Sequence, residues 1–345
     1  MAALAETAVA PVRIGVVGVG RIGRMHAELL AHRLPGAAVS AIYDAYEPTA
    51  LDVGNELGVP VAASVTQILE SDAEAIAICS SADTHAALTI AAAQAGKAVF
   101  CEKPVSLELA ALERALAAVE TAGIPFQIGF NRRFDPAHAS VREAVRSGTI
   151  GEPHLVRISS RDPTPPSLAY VQTSGGLFLD MMIHDFDMAR FVTGSEVVEV
   201  YARGAVRVDP QFAQAGDIDT ALVTLVHEDG CLTAIDNSRR SVYGFDQRVE
   251  VFGSRGMAAS ENPLAHSGVI QTERGTAQPA LPHFFLERYL PSYIREWEGF
   301  LEAVKRHVTP PVSSHDAREP LIIGLAAWRS LREGRPVRTA EIRAT

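Results

Sequence analysis

The chain has 345 residues, of which 47% are hydrophobic and 21% are charged, as in an ordinary globular protein. This length exceeds the roughly 250 residues beyond which one core usually divides, so we expect two domains. The formal net charge of -10 argues against a nucleic-acid partner, which would require a clustered cationic face. No signal peptide is recognisable and no apolar run reaches the ~18 residues of a membrane span. The sequence therefore predicts a cytoplasmic protein that does not bind membranes.

Short apolar runs alternate with alanine- and leucine-rich segments in the first 130 residues. The runs RIGVVG, VSAIYD, AIAICS, AVFCEK and FQIGF are typical of buried strands. The segments between them, such as THAALTIAAAQAG, have the apolar spacing of helices that end at Gly96 and Gly123. This alternation predicts a Rossmann domain over residues 1–130, an α/β unit with a doubly wound parallel sheet.

The glycines of GVGRIGRMH form a candidate phosphate cradle. Gly18, Gly20 and Gly23 fit the pattern G-x-G-x-x-G, which on its own is weak and favours a simple strand-to-helix turn. Here it follows a predicted strand, opens a predicted helix, and precedes a second strand that ends at Asp44. This context predicts a pyrophosphate at the helix N-terminus and ribose hydroxyls on Asp44, which favours NAD over NADP. The alternative for Asp44 is a turn residue at a strand end.

The segment CEKPVS places Lys103 at the carboxyl end of a predicted parallel strand. This is the edge at which open α/β sheets bind ligands, and Pro104 restricts Lys103 to extended geometry. The alternative is an ordinary surface lysine. For Arg21 and Arg24, beside the glycines, phosphate contacts and plain solvent exposure both stay open.

After about Gly151 the pattern changes to longer strand candidates joined by turn signals such as EDG. This pattern predicts a mostly antiparallel, open sheet in a second domain of residues 131–345. Helical segments around Arg288 to Arg306 and Ala317 to Glu333 follow the strands. Whether these helices pack back on the first domain stays open.

One predicted helix, GGLFLDMMIHDFDMARF, is apolar on nearly every side and should be largely buried. Asp180, His184 and Asp187 are spaced by four and three residues, so we expect them on one stripe. A buried polar stripe must meet polar groups, a ligand or water. An isolated D-x-x-x-H is often a satisfied core pair or a charge at a helix N-terminus. Beside a dinucleotide fold, it predicts an imidazole that is oriented by an aspartate and accepts a proton.

The three cysteines, Cys79, Cys101 and Cys231, are an odd number without paired metal spacing. Two of them lie in apolar, strand-like runs, which predicts buried, reduced thiols. A metal at the D-x-x-x-H segment is disfavoured as well, because no cysteine or second histidine lies nearby at ligand spacing. We therefore expect no metal site.

Taken in order, the segments GVGRIGRMH, CEKP, GFNRRFDP, SRDPTPP and GGLFLDMMIHDFDMARF resemble the Gfo/Idh/MocA oxidoreductases over essentially the whole chain. Within that family, GFNRRFDP, SRDP and NSRRSVYGFDQRVEVFGS are similar to the inositol 2-dehydrogenases. The resemblance implies an NAD-dependent dehydrogenase that oxidises myo-inositol to 2-keto-myo-inositol by hydride transfer. It also implies a homo-oligomer, a dimer or a tetramer, in which the open sheet of the second domain packs between subunits.

Carried over position by position, the resemblance implies the catalytic residues Lys103, Asp180 and His184. It implies polyol contacts from the same three residues and from Arg132, Asp162 and Tyr243. Cofactor contacts are expected at Gly18, Gly20, Arg21, Ile22, Gly23, Asp44, Glu102 and Lys103. One position departs from the pattern, since Ser160 stands where some inositol dehydrogenases have a histidine.

Other interpretations stay open beside this one. Arg132 and Arg133 could be a solvated pair in a loop, and Tyr243 could be a packed turn aromatic. The short side chain at position 160 could admit another inositol isomer or a pyranose sugar. A catalytically silent sugar sensor on the same fold is a further alternative, although the intact catalytic set favours an enzyme.

Overall fold

The computed structural model describes residues 10–344, which form two compact units. The first unit comprises the residues up to Gly129 together with Tyr293–Ala317. The second comprises Phe130–Ser292 together with the residues from Arg318 onward. Within residues 10–344, no helix combines the length and the apolar character that crossing a lipid bilayer requires.

The first unit alternates strands and helices. Its strands are β1 (Val12–Val17), β2 (Ala37–Tyr43), β3 (Ala75–Ile78), β4 (Ala98–Glu102) and β5 (Phe126–Gly129). Its helices are α1 (Arg21–His32), α2 (Glu47–Leu57), α3 (Val65–Leu69), α4 (Ala82–Gln94) and α5 (Leu109–Ala122). All five strands are parallel, in the order β2-β1-β3-β4-β5. The predicted doubly wound parallel sheet is confirmed.

The strand order of this sheet reverses beside β1, because β2 lies on one side of it and β3 on the other. In open parallel sheets, ligands bind outside the carboxyl ends of the strands at such a switch point. The glycine turn begins at Gly18, directly after β1, and Ser80 lies two residues beyond the end of β3. The fold thus puts the glycine motif at the edge where this class of sheet binds nucleotides.

The second unit contains a larger set of elements. Its first half has a 3₁₀ turn (Asn131–Phe134), α6 (Pro136–Arg146), β6 (Pro153–Arg161), α7 (Leu168–Val171), α8 (Gly176–Asp180) and α9 (Ile183–Thr193). There follow β7 (Val197–Ala205), α10 (Gln211–Gln214), β8 (Thr220–His227), β9 (Leu232–Ser238), β10 (Asp246–Gly253), β11 (Gly256–Ser260), β12 (Ile270–Thr272) and β13 (Gly275–Ala277). Helices α11 (Phe285–Arg306) and α12 (Ser314–Glu333) contribute residues to both units. The chain closes with β14 (Val337–Arg338) and α13 (Thr339–Arg343).

Seven of these strands form one sheet in the order β11-β10-β6-β9-β8-β7-β14. Every neighbouring pair is antiparallel except β6 and β9, which run parallel. The predicted, mostly antiparallel sheet is confirmed. Because β6 and β9 run the same way, the residues that follow them, Asp162 and Arg239, leave the sheet at the same edge. The Asp162 N–H donates to the Ser238 carbonyl oxygen at 3.0 Å.

The apolar segment before β7 is buried, as predicted, but it is not one helix. Phe178, Phe186 and Met188 are at most 1% exposed. The prediction of a continuous helix is wrong, because α8 ends at Asp180 and α9 begins at Ile183. The Met182 N–H donates to the carbonyl five residues back, at 2.9 Å, and the Asp185 N–H to the carbonyl three residues back, also at 2.9 Å. The helical spacing is therefore interrupted between Asp180 and His184, where the predicted stripe required a continuous helix.

Asp187, the third member of that predicted stripe, belongs to a buried ion pair. Its carboxylate accepts hydrogen bonds from Nε and Nη2 of Arg133 at 2.8 and 2.6 Å. Arg190 Nη1 lies 3.7 Å from the same carboxylate, and Asp187 is 1% exposed. The alternative of a solvated Arg133 is therefore wrong, and Asp187 has a structural role in the core.

The three cysteines are buried and none of them forms a disulfide, as the sequence predicts. Burial raises the pKa of the Cys79 and Cys101 thiols above their ordinary value. It raises the pKa of Cys231 to about 11. All three are thus neutral thiols at physiological pH, the form that does not act as a nucleophile.

The buried pair predicts a large loss of stability for Asp187→Asn. This substitution removes the carboxylate that receives two hydrogen bonds from Arg133 in the core, and breaking a buried pair costs about 3–5 kcal/mol. Arg190 keeps its pair with Glu196. We expect the free energy of unfolding, measured by urea denaturation, to fall by about 3 kcal/mol or more. Glu143→Gln is the matched control, because it breaks a two-bond pair with Arg146 that is exposed and should change stability little. Equal losses in the two variants would contradict the assignment.

Candidate functional site

Two of the motif glycines are required by the turn itself. Gly18 has φ +86°, and a Cβ there would lie 2.4 Å from the Ser80 amide nitrogen. A Cβ at Gly23 would lie 1.9 Å from the Gly18 carbonyl oxygen. No side chain fits at either position, because the backbones of the turn, of α1 and of the chain after β3 are packed against one another.

Gly20 differs from the other two, because a Cβ there would meet no heavy atom within 4 Å. Gly20 is the N-cap of α1, and no side chain caps this helix end. The first-turn N–H groups of any helix lack partners within the helix, and with the helix dipole they form an anion site. The open space before α1 therefore fits a pyrophosphate that approaches the backbone closely.

Asp44 is tied to the glycine turn. Its Oδ2 accepts a hydrogen bond from the Val19 N–H at 2.8 Å, and its Oδ1 accepts one from the Tyr46 N–H at 2.9 Å. Asp44 therefore does act as a turn residue at the end of a strand, as the alternative interpretation states. A carboxylate has lone pairs for further hydrogen bonds, so ribose binding stays a prediction that is compatible with this role.

The two arginines of the motif differ in what the structure shows. Arg24 Nη2 lies 3.0 Å from Asp52 Oδ2 and also pairs with Glu56, both on α2. Its charge is therefore directed to α2. Arg21 and Ile22 lie in the first turn of α1, beside the open space at Gly20.

Glu102, the last residue of β4, is held by a buried chain of hydrogen bonds. The indole Nε1–H of Trp297 donates to His26 Nδ1 at 2.9 Å, and His26 Nε2 lies 2.8 Å from Glu102 Oε1. An indole can only donate, so His26 Nδ1 is an acceptor and Nε2 carries the proton. His26 therefore donates to Glu102 as a neutral imidazole, and both His26 and Trp297 are fully buried. Sequence reasoning missed these two, although His26 ends the glycine motif.

Lys103 follows this glutamate at the carboxyl edge of the sheet, where the sequence places it. Its N–H donates to Glu102 Oε2 at 3.3 Å. The His85 ring contacts the carbonyl oxygens of Pro104 and Ser80 at 2.8 and 2.9 Å. The backbone around Lys103 is thus tied to the segment after β3, whereas the catalytic role of Lys103 stays a prediction.

In the second unit, both carboxylate oxygens of Asp180 are hydrogen-bonded. Oδ1 accepts from the Tyr170 hydroxyl at 2.8 Å, and Oδ2 accepts from Arg239 Nη1 at 2.9 Å. His184 lies in the first turn of α9, with its ring 5.8 Å from that of Phe130 in an edge-to-face arrangement. That Asp180 orients His184 stays a prediction.

No group of three or more His, Cys, Asp and Glu side chains in residues 10–344 is arranged to hold a metal ion.

Arg132 is buried, and this contradicts the alternative of a solvated pair. Its Nη1 donates to Asp185 Oδ1 at 2.8 Å and to Ser160 Oγ at 3.1 Å. Asn237 Nδ2 donates to the other oxygen of Asp185 at 2.7 Å. Burial raises the pKa of Asp185 above its ordinary value, and Arg132 opposes this shift. Asp185 and Asn237 were missed, although Asp185 directly follows His184 in the sequence.

Asp162 and Tyr243 lie near the same edge of the second sheet. Burial raises the pKa of Asp162 to about 6, with the charge of Arg239 opposing the shift. The Tyr243 hydroxyl donates to Asp246 Oδ2 at 2.7 Å and accepts from Arg161 Nη1 at 2.8 Å. Tyr243 is 49% exposed, so the alternative of a packed turn aromatic does not hold. Its contact with a polyol stays a prediction.

Known proteins match both units. Residues 12–130 match an oxidoreductase family with an NAD-binding Rossmann fold, and residues 138–259 match the GFO/IDH/MocA C-terminal domain. A myo-inositol 2-dehydrogenase of Thermotoga maritima is 47% identical over 332 residues, which cover 96% of this chain and 99% of the relative. This chain belongs to the GFO/IDH/MocA oxidoreductases.

Two further comparisons support the assignment to the GFO/IDH/MocA family. An inositol 2-dehydrogenase of Rhizobium meliloti is 41% identical over 329 residues, which cover 95% of this chain and 99% of the relative. The crystal structure of a probable dehydrogenase from Thermotoga maritima superposes with a TM-score of 0.94 at 46% identity, covering 96% of this chain and 99% of that one. The predicted family and NAD as its cofactor are confirmed.

The glycine geometry predicts that two substitutions in one motif act differently. Gly20→Ala adds a Cβ that meets no protein atom, so we expect an unchanged Tm and weaker NAD binding, because the methyl group occupies the space that the pyrophosphate needs. Gly23→Ala drives a Cβ into the Gly18 carbonyl, so it should lower the Tm as well. Thermal unfolding and NAD titration by calorimetry measure both effects. Wild-type NAD affinity in Gly20→Ala would contradict the cradle.

Proposed function

We propose that this oxidoreductase transfers hydride from one secondary hydroxyl of myo-inositol to NAD and yields 2-keto-myo-inositol. The observation that carries the proposal is the polar edge of β6 and β9. Asp162, Arg239 and Asn237 lie there beside Asp180 and Asp185. A cyclic polyol presents hydroxyl groups around its whole rim, and a site that hydrogen-bonds each of them discriminates strongly between isomers. The inositol dehydrogenases among the relatives support the same substrate class.

In this proposal the N-terminal domain, residues 1–130, holds the cofactor. NAD, when bound, supplies the hydride acceptor at C4 of its nicotinamide. The glycine turn and the N-terminus of α1 receive the pyrophosphate, through Gly18, Gly20, Arg21, Ile22 and Gly23. Asp44 accepts hydrogen bonds from the ribose hydroxyls and repels a 2′-phosphate. Glu102 and Lys103 complete the cofactor contacts.

In the same proposal the C-terminal domain, residues 131–345, binds the polyol. His184 removes the proton of the reacting hydroxyl, and Asp180 orients the imidazole and stabilises its cationic form. Lys103 of the first unit holds the reacting oxygen and stabilises the developing alkoxide charge. Arg132, Asp162 and Tyr243 recognise the other hydroxyl groups.

The proposal includes a homo-oligomer built on the open sheet. One face of this sheet exposes a row of apolar side chains, with Phe252 opposite Met257 and Leu155 opposite Leu232. Phe252, Met257 and Leu232 are each about half exposed, and Leu222 is 65% exposed. Contiguous apolar surface of this kind is typical of protein interfaces. A tetramer in the cytoplasm, where NAD is available and thiols stay reduced, is the form we propose.

A second candidate substrate is another inositol isomer, and Ser160 favours it. Ser160 Oγ donates to Gln247 Oε1 at 2.5 Å and accepts from Arg132. Its hydroxyl is thus occupied by neighbouring side chains, where some inositol dehydrogenases carry a histidine. A pocket that lacks this imidazole recognises one hydroxyl differently, which bears on the choice of isomer and not on the reaction.

The test is kcat/KM with myo-inositol, scyllo-inositol, D-chiro-inositol and glucose, measured as NADH formation with NAD and as NADPH formation with NADP. We expect myo-inositol with NAD to be the best pair. His184→Ala should lower kcat ~10²- to 10⁴-fold, the usual contribution of a positioned acid-base group, and leave NAD affinity unchanged. His266→Ala, on the exposed segment after β11, is the matched control and should behave as wild type. Another isomer or glucose preferred by more than about tenfold, ~1.4 kcal/mol, would overturn the myo assignment. Polyols that raise the Tm without turnover would indicate a sensor instead.

A further inference from the structure

Arg239 is a buried arginine at the polar edge of β6 and β9, and the proposed function assigns it no step and no substrate contact. It is 1% exposed and directly follows β9. Its N–H donates to the Asp219 carbonyl at 2.9 Å, which fixes the backbone. Its guanidinium lies 5.8 Å from the centre of the Phe212 ring and donates through Nη1 to Asp180. The guanidinium is therefore held on several sides, and its one short bond to a carboxylate is to Asp180.

Burying this charge is costly, because a guanidinium in the interior loses its hydration and needs compensating partners. Two of its nitrogens, Nε and Nη2, make no hydrogen bond to any described residue, and Asp217 Oδ2 lies 3.9 Å from Nη2. Burial alone would lower the pKa of Arg239, but Asp180, Asp162 and Asp217 together raise it above its ordinary value. The compensation thus comes from carboxylates that include two of the proposed site residues.

The effect is mutual, because the same positive charge acts on those carboxylates. Burial raises the pKa of Asp162 to about 6, and Arg239 is the strongest influence in the opposite direction. The charged and titratable groups that face this cluster come from α7, α8, α9, the 3₁₀ turn, the ends of β6 and β9 and the loop between α10 and β8. They are Tyr170, Asp180, Asp185, Arg132, Asp162, Asp217 and Arg239.

We propose, resting on the function proposed above, that Arg239 is a positioning residue that keeps Asp180 oriented as a carboxylate. Two hydrogen bonds to Asp180 differ in kind. Tyr170 on α7 supplies a neutral donor and is 44% exposed, whereas Arg239 supplies a charged donor that is fully buried. The buried, charged hydrogen bond from Arg239 is therefore the one that fixes both the direction and the ionisation of Asp180. Arg239 acts on the reaction through Asp180 and Asp162 and does not touch the reacting atoms.

The consequence for pH dependence follows from the sign of the charge. A positive charge lowers the pKa of a nearby carboxyl group, so its removal raises that pKa. Asp180 and Asp162 would then protonate at higher pH, and turnover would fall earlier as the solution is acidified. A purely structural role for Arg239 would lower stability without moving the pH profile.

The experiment compares Arg239→Met, Arg239→Lys and the control Arg240→Met, in kcat/KM for myo-inositol across the pH range and in NAD affinity. Arg240 is the exposed neighbour on the same loop. We expect the kcat/KM of Arg239→Met to be about 10- to 100-fold lower than that of the wild type, as when a partner that orients an active group is removed. The acid limb of its pH profile should lie at higher pH. Arg239→Lys keeps the charge and should retain the wild-type acid limb. Arg240→Met should match wild type, and all variants should keep wild-type NAD affinity.

A double-variant cycle separates an effect through Asp180 from loss of packing. At alkaline pH, where Asp162 stays ionised, Arg239→Met in the Asp180→Asn background should cause little further loss of kcat/KM, because the Asp180 carboxylate is already replaced by a neutral side chain. The double variant removes both partners of the Arg239–Asp180 pair, so neither charge of that pair is left unpaired in the core even if the single variant fails to fold. A further tenfold loss in the double variant, or an unshifted acid limb in Arg239→Met, would overturn the inference. Absence of polyol turnover by the wild type would instead overturn the proposed function, and this inference with it.

Discussion

The hydrogen bond between Arg239 and Asp180, 2.9 Å long and buried, is the interaction on which the candidate site of the second unit depends. It is one of three similar pairs in the α8–α9 segment. Asp185 is held by Arg132 and Asp187 by Arg133. Buried carboxylates are stable only when paired, so each pair fixes a point of this segment against another part of the unit.

The three pairs have different consequences. Asp187 receives both bonds of an arginine fork and has Arg190 beside it, so this pair serves the core. Asp185 shares its oxygens between Arg132 and Asn237 and connects α9 to the edge of β9. Asp180 ends α8, where the helix is interrupted, and has Tyr170 and Arg239 as partners. Of these three pairs, only the last lies at a break in the helix and is also fixed by a charged hydrogen bond. Both features are expected of a side chain that must point in one direction.

The first unit achieves a similar fixed geometry without charge pairs. Trp297, His26 and Glu102 form a chain in which the indole sets the tautomer of the imidazole, and the imidazole directs the carboxylate. Asp44 joins the end of β2 to the glycine turn through the Val19 N–H. Both arrangements lie at carboxyl ends of parallel strands, where backbone pairing stops and side chains must complete the hydrogen bonding.

Local features of the sequence could predict much of this. Alternating apolar runs predicted the parallel sheet, and Gly18, Gly20 and Gly23 predicted the turn after β1, because period and backbone sterics act within a few residues. The interrupted helix and the partners of Asp180 could not be predicted in this way. Arg239 is 59 residues from Asp180, and Trp297 is 271 residues from His26. Such pairs are chosen by tertiary packing, and the spacing of Asp180, His184 and Asp187 contains no information about them.

In the proposed reaction, the hydrogen on the oxidised carbon of the polyol passes to NAD as hydride. The most direct measurement uses myo-inositol deuterated at C2, with the NADH product analysed by mass spectrometry and NMR. The predicted result is NADH that carries one deuterium at C4 of the nicotinamide, with none released to water. Formation of unlabelled NADH, or ketone formation with the deuterium recovered in water, would contradict direct hydride transfer from C2.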